Sequence, residues 1–206
     1  MKKIVLGVLA STLGTDLQAV IDAIEKGELE AEIACVASNK QNAFALERAR
    51  KHGIEAIFLD PKKFNSKEEF DSELVKILNE RNVDLVLLIG YNKFLTSVFL
   101  EAFKNRAVNI HPSLLPAFKG WYKDVYKKVI EANVKETGCT LLFLDNDPDA
   151  GPIILQKSVP VLEDDTMESL KERVQKAEQE AILEGLKLFQ AGKLRIEGKR
   201  VYVAKD

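Results

Sequence analysis

Apolar runs and amphipathic stretches alternate over the first half of the chain. Apolar runs predict buried strands at 3–10 and 83–89. Further strands are predicted at 31–38, at 54–59 and at the segment that carries Asn109. Between these runs, apolar residues at helical spacing predict helices from Thr15 to a stop at Gly27, over 43–52, over 67–81 and over 96–104. Strands that alternate with helices in this way indicate an α/β protein with a doubly wound parallel sheet.

The pattern changes in the second half. It predicts a helix over 120–133, strands at 139–144 and 153–161, a long helix over 166–190 and a terminal hairpin formed by 194–196 and 200–203. The connection between the first two strands is shorter than a parallel crossover requires, so an antiparallel or mixed pair is expected. The end of the chain is therefore expected to extend the parallel sheet with mixed or antiparallel strands.

Two termini of the predicted helices carry specific signals. Ser66 with Glu69 three positions later predicts a capping box at the start of helix 67–81. The turn from Ser11 to Thr15 opens the first helix, and free N–H groups there favour an anion such as phosphate. The alternative is a plain turn capped by Thr15, which Asp16 supports because its carboxylate already uses the helix dipole.

Composition narrows the function classes. The 206 residues are 46% hydrophobic and 30% charged, with a formal net charge of −2, so no basic nucleic-acid surface is predicted. No run is long enough for a membrane span, and the apolar start fits a first buried strand better than a signal peptide. Cys35 and Cys139 lie in apolar runs and are expected to be buried, reduced thiols of a cytosolic protein.

The sequence Asn109-Ile110-His111-Pro112 is the strongest candidate for chemistry. Period-two alternation puts Asn109 and His111 on one face of a strand, and Pro112 ends that strand. Ligands of open α/β sheets bind at this end of the strands. The alternative is a core histidine with a capping asparagine.

A turn over 145–149 holds three aspartates within five residues. They could hold a divalent cation, but the ligand spacing of a calcium loop is absent, and no metal site is predicted. A solvated turn is the simpler interpretation. A sharper one pairs an aspartate with His111, because a nearby carboxylate favours the charged imidazole and so a proton donor near neutral pH.

Several segments together resemble the glycinamide ribonucleotide formyltransferase family of folate-dependent enzymes. The resemblance covers nearly the whole chain, and its most specific parts are Asn109-Ile110-His111-Pro112-Ser113-Leu114-Leu115-Pro116 and Asp149-Ala150-Gly151-Pro152-Ile153. It implies a Rossmann-like parallel sheet with helices on both faces and an antiparallel extension, as a single domain with halves 1–117 and 118–206. It also implies transfer of a formyl group from 10-formyltetrahydrofolate, as co-substrate and without a metal, to the amine of glycinamide ribonucleotide in purine biosynthesis.

The resemblance assigns a role to each matching residue. Asn109, His111 and Asp149 match the catalytic trio, in which Asp149 keeps His111 charged. The positions that match contacts to the phosphoribosyl amine are Gly14, Thr15, Asp16, Leu17, Gln175 and Glu178. The positions that match the folate site are Lys67, Asn92, Lys93, Phe94, Leu95, Asp145, Asn146, Asp147 and Pro148. From residues alone, the polar face of a surface helix is the favoured interpretation of Gln175 and Glu178. A cytoplasmic monomer or homodimer with small-molecule substrates only is expected.

Departures from the family pattern cluster around the expected site. Thr12 and Leu13 stand where a second glycine or an arginine is usual, Asn92-Lys93 replaces a methionine-arginine pair, and Leu142 replaces a histidine. Trp121 and Tyr126 are expected to fill space where substrate would lie. The alternatives are therefore an altered pocket that binds another small ligand with weak or no transfer, and a hydrolase of formyl-folate that uses the same trio.

Overall fold

A computed structural model describes residues 3–120 and 122–204, apart from the side chains of 122 and 123. Two compact units, Met1–Val108 and Asn109–Asp206, divide the chain. The first unit contains β1 (Ile4–Ala10), α1 (Thr15–Glu25), β2 (Ala31–Ser38), α2 (Phe44–Lys51), β3 (Glu55–Phe58), a short 3₁₀ helix (Pro61–Lys63), α3 (Lys67–Glu80), β4 (Leu85–Ile89) and α4 (Ser97–Ala102). The expected alternation of strands and helices is confirmed.

The strands of the first unit form a parallel sheet in the order β3-β2-β1-β4. This order is that of a Rossmann-like half. The central strands β1 and β4 are almost wholly buried, with Leu6, Val8 and Leu87 completely inaccessible to solvent. Strands covered on both faces have no solvent side that would demand alternating polar residues, which explains the continuous apolar runs of the sequence.

Two helix starts differ in detail from the prediction. Gly14, in the left-handed region with φ of 66°, is the N-cap of α1, so Thr15 is the first helical residue and not the cap. At α3 the Ser66 hydroxyl accepts the Glu69 N–H as predicted, at 3.0 Å. The Glu69 carboxylate, however, accepts from the backbone N–H of Asn65 at 2.8 Å.

The second unit carries mixed strands. β5 (Ala107–His111) spans the division between the units, and α5 (Tyr122–Glu131), β6 (Glu136–Phe143), β7 (Ile153–Pro160), α6 (Met167–Gln190), β8 (Leu194–Glu197) and β9 (Arg200–Val203) follow. β6 and β7 are antiparallel, as expected, and β8 and β9 form the terminal hairpin. One further pairing was not predicted from the sequence: β9 lies parallel to β7 through Ile153 and Arg200.

The long helix α6 packs against β6 and β7. Gly185 allows this approach, because a Cβ atom there would lie 2.1 Å from the Leu141 side chain. Cys35 and Cys139 are both buried and form no disulfide bond, as expected. Within 3–120 and 122–204, no helix combines the length and the apolar character needed to cross a membrane. The fold class is α/β with antiparallel strands near the end of the chain, as predicted.

Candidate active site

The second unit brings His111 and Asp149 together. His111 is the last residue of β5 and is only 3% exposed. Its Nδ1 atom lies 3.4 Å from Oδ1 of Asp149. Its Nε2 atom lies 3.1 Å from the carbonyl oxygen of Phe118, and since a carbonyl can only accept, Nε2 carries a proton. Nδ1 therefore faces a carboxylate oxygen at ion-pair distance, and Nε2 donates to a backbone carbonyl.

Asp149 has an unusual backbone. It lies in the left-handed region, with φ of 56°, where residues other than glycine are uncommon. The chain is held there on both sides: the Ala150 N–H donates to the Asp147 carbonyl at 3.2 Å, and a Cβ atom on Gly151 would lie 1.9 Å from the Phe143 carbonyl oxygen. Backbone conformations of this kind concentrate at functional sites, where the surroundings enforce them.

A short loop after β5 contacts both members of the pair. The Phe118 carbonyl accepts from His111, and the Gly120 N–H donates to Oδ2 of Asp149 at 3.1 Å. Phe118 has a φ of 53°. Asn109, two residues before His111 on β5, is half-buried, whereas Ile110 and His111 are both buried, so burial does not alternate along this strand.

Thr140 anchors the same loop from β6. Its hydroxyl donates to the Ser113 carbonyl at 2.7 Å and accepts from the Leu115 N–H at 3.0 Å and from the Gln156 side chain at 2.8 Å. The Gln156 amide also donates to the Leu115 carbonyl at 3.0 Å. Sequence reasoning gave no role to Thr140 or Gln156. A threonine is an ordinary strand residue, and only its position within an apolar run hinted at a buried hydrogen bond.

In the acidic turn before Asp149, groups of the protein itself contact the Asp145 carboxylate. The Asp145 carboxylate accepts from the Asn146 N–H at 2.7 Å and lies 3.8 Å from the Lys199 amino group. Over residues 3–120 and 122–204, no group of histidine, cysteine and acidic side chains is arranged to hold a metal ion.

Gln175 and Glu178 lie on α6, with Gln175 half-buried and Glu178 buried. The start of this helix is fixed by Arg173, whose guanidinium donates two hydrogen bonds to the Asp165 carboxylate at 2.7 and 2.9 Å. These bonds hold the pKa of Asp165 well below its ordinary value. The pair leaves α6 rigidly attached to the turn that precedes it.

In the first unit, the expected phosphate turn is shaped by α2. Arg48 donates to the Leu13 carbonyl at 2.8 Å, and the Ala45 N–H donates to the Thr12 carbonyl at 3.2 Å. The Leu13 side chain is 59% exposed, whereas Asp16 is buried. These contacts fix the backbone immediately before Gly14, the residue that opens α1.

The expected folate segment, Asn92–Leu95, is held by α3. The Lys93 amino group lies 4.6 Å from the centre of the Phe70 ring, and the Asp71 carboxylate accepts from the Thr96 N–H at 2.5 Å. Lys67 is the exposed first residue of α3, and Phe70 and Asp71 follow three and four positions later, so the three share one helix face. Burial raises the pKa of Asp71, and the same cause raises that of Tyr91.

The departures fall in different environments. Leu142 is a buried residue of β6, and Tyr126 is a buried residue of α5. Trp121 lies outside the described residues. Leu13, in contrast, is turned to solvent, so the altered positions do not form one common surface patch.

The fold is α/β, and its strand β5 carries Asn109 and ends at His111, which faces the Asp149 carboxylate. The family that the chain matches is one of group-transfer enzymes. The family model described as Formyl transferase matches residues 2–186, and the chain belongs to this family.

Known relatives agree with this assignment. Phosphoribosylglycinamide formyltransferase of Haemophilus influenzae is 40% identical over 98% of this chain and 94% of its own length. The crystal structure of glycinamide ribonucleotide transformylase 1 from Symbiobacterium toebii is 43% identical, with a TM-score of 0.95, and covers 98% of this chain and 95% of that one. The trifunctional purine biosynthetic protein adenosine-3 of Gallus gallus is 41% identical over 94% of this chain, which spans only 19% of that protein.

Proposed function

We propose that the protein transfers the formyl group of 10-formyltetrahydrofolate to the amine of glycinamide ribonucleotide. The observation that carries this proposal is the contact between buried His111, at the end of β5, and half-buried Asp149, with Asn109 on the same strand as His111. The full-length similarity to enzymes named for this reaction supports it.

The proposed chemistry needs a donor of hydrogen bonds to a developing oxyanion. The amine nitrogen attacks the formyl carbon, and the carbonyl oxygen gains negative charge. Nε2–H of His111, which now donates to the Phe118 carbonyl, would exchange that acceptor for the oxyanion, and the Asn109 amide would supply a second donor. The carbon–nitrogen bond to the folate then breaks, the amine loses a proton, and the folate nitrogen gains one.

Asp149 acts on this chemistry through the histidine. Its carboxylate faces Nδ1 of His111 and stabilises a positive charge on the ring, which strengthens the Nε2 donor. The Gly120 N–H, bonded to the second carboxylate oxygen, orients the group. We assign Asp149 to orienting and charging His111 and to organising proton movement toward the leaving nitrogen.

The substrate contacts follow the family pattern in each unit. In the first, residues 14–17 would bind the phosphate and Lys67 with residues 92–95 would bind the folate. In the second, Gln175 and Glu178 would contact the ribonucleotide and residues 145–148 the pterin. A cytoplasmic enzyme, as a monomer or homodimer, remains the expectation.

An absorbance assay of folate product, with glycinamide ribonucleotide present or absent, tests the proposal. Turnover that requires the amine supports formyl transfer. Turnover without it would instead support hydrolysis of formyl-folate. Absence of turnover under both conditions would favour a scaffold that binds another small ligand, a reading that the similarity to named transferases does not favour.

A further inference from the structure

Three polar side chains form a closed hydrogen-bonded ring in the first unit. The Asn92 N–H donates to the Ser11 hydroxyl oxygen at 3.1 Å, the Ser11 hydroxyl donates to Oδ1 of Asn39 at 2.6 Å, and Nδ2 of Asn39 donates to Oδ1 of Asn92 at 3.1 Å. Ser11 directly follows β1, Asn39 directly follows β2, and Asn92 lies shortly after β4. The ring therefore ties together the carboxyl ends of three neighbouring parallel strands.

The ring joins two segments that the proposed function gives to different substrates. Ser11 begins the turn that leads to the phosphate-binding residues 14–17, and Asn92 begins the folate segment 92–95. Thr12 and Gly90, which lie just before the two segments, are also close together, because a Cβ atom on Gly90 would lie 2.5 Å from Oγ1 of Thr12. Gly90 itself has a φ of 56°. A change in the backbone of one segment must therefore displace the other or break hydrogen bonds.

We propose that the ring of Ser11, Asn39 and Asn92 couples the binding of the two substrates, so that occupation of either segment tightens binding at the other. A ligand that orders one segment also orders its hydrogen-bonded neighbour, and the second ligand then meets a segment whose ordering cost is already met. Such coupling is reciprocal, so each ligand changes the affinity of the other by the same factor. The inference rests on the proposed function for the identity of the two ligands.

Asn39 is the residue through which the coupling can be tested. It belongs to neither assigned segment, yet it supplies two of the three bonds of the ring. In the family pattern that the chain resembles, position 92 carries methionine, whose thioether sulfur is only a weak hydrogen-bond acceptor. The closed ring is thus a feature of this chain's own sequence at position 92.

The experiment is calorimetric titration of glycinamide ribonucleotide into the full chain, alone and with saturating tetrahydrofolate, which lacks a formyl group and cannot react. In the parent we expect affinity to rise about 5-fold or more with tetrahydrofolate present. Asn39→Ala opens two bonds and should bring this ratio close to 1. Asn39→Asp keeps the acceptor for Ser11 and loses only the bond to Asn92, so an intermediate ratio is expected. Asn79→Ala, an exposed asparagine of α3, is the matched control.

Two results would overturn the coupling: a parent ratio of 1, or an equal ratio in the parent and in Asn39→Ala. A parent that binds neither ligand would instead contradict the proposed function. Amide hydrogen exchange of the protein without ligands then tests, independently of substrate binding, whether the ring links the two segments. Asn39→Ala should speed exchange of residues 12–17 and 92–95 together, and unchanged exchange in both segments would refute it.

Discussion

Nδ1 of His111 lies 3.4 Å from Oδ1 of Asp149, and residues of one short loop contact the other ring nitrogen and the other carboxylate oxygen. The Phe118 carbonyl accepts from the histidine, and the Gly120 N–H donates to the carboxylate. In the proposed mechanism the Phe118 carbonyl occupies the position of the oxyanion that Nε2 would bind. This arrangement makes the pair testable by substitutions that keep its shape.

Asp149→Asn should lower the rate of formyl transfer by about 100-fold or more, the typical cost of losing preorganised oxyanion stabilisation. The asparagine oxygen can still accept the Gly120 N–H, so the turn should persist, but it no longer carries the charge that favours a cationic His111. Steady-state kinetics with both substrates measure the loss. His111→Ala should reduce transfer at least as much, with a lower melting temperature because the buried ring leaves a cavity.

Asp124→Asn, on an exposed position of α5, controls for the loss of one negative charge. Its rate should match that of the parent. If Asp149→Asn and His111→Ala both retained rates within a few-fold of the parent, the pair would have no part in the mechanism.

The sequence predicts the scaffold well because burial on both faces of β1 and β4 leaves continuous apolar runs. Period two likewise predicts that Asn109 and His111 share a face. The partners of His111 are harder to predict from the sequence. Asp149 is predicted as a partner only through charge and family resemblance, and Phe118 contributes a backbone carbonyl, which every residue type possesses.

Thr140→Val tests the anchor of the loop. The substitution keeps the shape of the side chain but leaves the Ser113 carbonyl and the Leu115 N–H without their buried partner. We expect a loss of about 1–3 kcal/mol in the free energy of unfolding, together with a lower transfer rate because the loop contacts His111 and Asp149. Chemical denaturation and kinetics measure the two effects.

Thr137 offers a matched control on the same strand. It is 2% exposed, and no hydrogen-bond partner for its Oγ1 atom lies among the described residues. Thr137→Val should therefore be neutral or stabilising, since it removes an unsatisfied hydroxyl. Equal effects of the two substitutions would show that loss of a hydroxyl from β6, and not the anchoring of the loop, determines stability.

Asp165→Asn should destabilise the protein at neutral pH. Arg173 holds the pKa of Asp165 below its ordinary value of 3.8, so the pair contributes stability above that pH and loses it as the pH falls below it. We expect a cost of about 1–3 kcal/mol at pH 7, shrinking at more acidic pH. Denaturation at several pH values measures this, with exposed Asp164→Asn as control. A cost independent of pH would rule out the ion pair as its source.

Asp71→Asn, in contrast to Asp165→Asn, should not destabilise the protein at neutral pH. Burial raises the pKa of Asp71 in the folded state above 3.8, so the folded protein binds the proton more tightly and this residue's contribution to stability falls as the pH rises from 3.8 through the raised value. An asparagine oxygen can still accept the Thr96 N–H without a buried charge. At pH 7 the variant should melt at an equal or higher temperature than the parent.

Asp71→Ala provides the contrast, because alanine removes the acceptor and should lower the melting temperature at pH 7. A lower melting temperature for Asp71→Asn than for the parent would mean that the carboxylate charge stabilises the site. Lys93, whose charge lowers the pKa of Asp71, would then be the candidate counter-ion.

The altered positions 13 and 142 should respond differently to restoration of the family pattern. The Leu142 side chain is 2% exposed, so Leu142→His buries an imidazole in an apolar strand and should cost about 1–3 kcal/mol of stability. Thermal denaturation measures this loss. Leu142→Met, of similar volume and apolar character, should melt close to the parent. A stable Leu142→His variant with faster transfer would mean that the imidazole finds a polar partner at this position.

Leu13→Arg should instead leave the fold intact and raise the affinity for glycinamide ribonucleotide. The Leu13 side chain is 59% exposed, and its carbonyl, which accepts from Arg48, is unchanged by the substitution. An arginine here can form a charge-assisted hydrogen bond with a phosphate bound at residues 14–17. We expect affinity for glycinamide ribonucleotide to rise about 10- to 150-fold, from a hydrogen bond to a charged group worth about 1.5–3 kcal/mol. The same riboside without its phosphate should gain nothing, and the uncharged variant Leu13→Gln should gain little for either ligand. Equal tightening of both ligands by Leu13→Arg would show that this turn does not bind the phosphate.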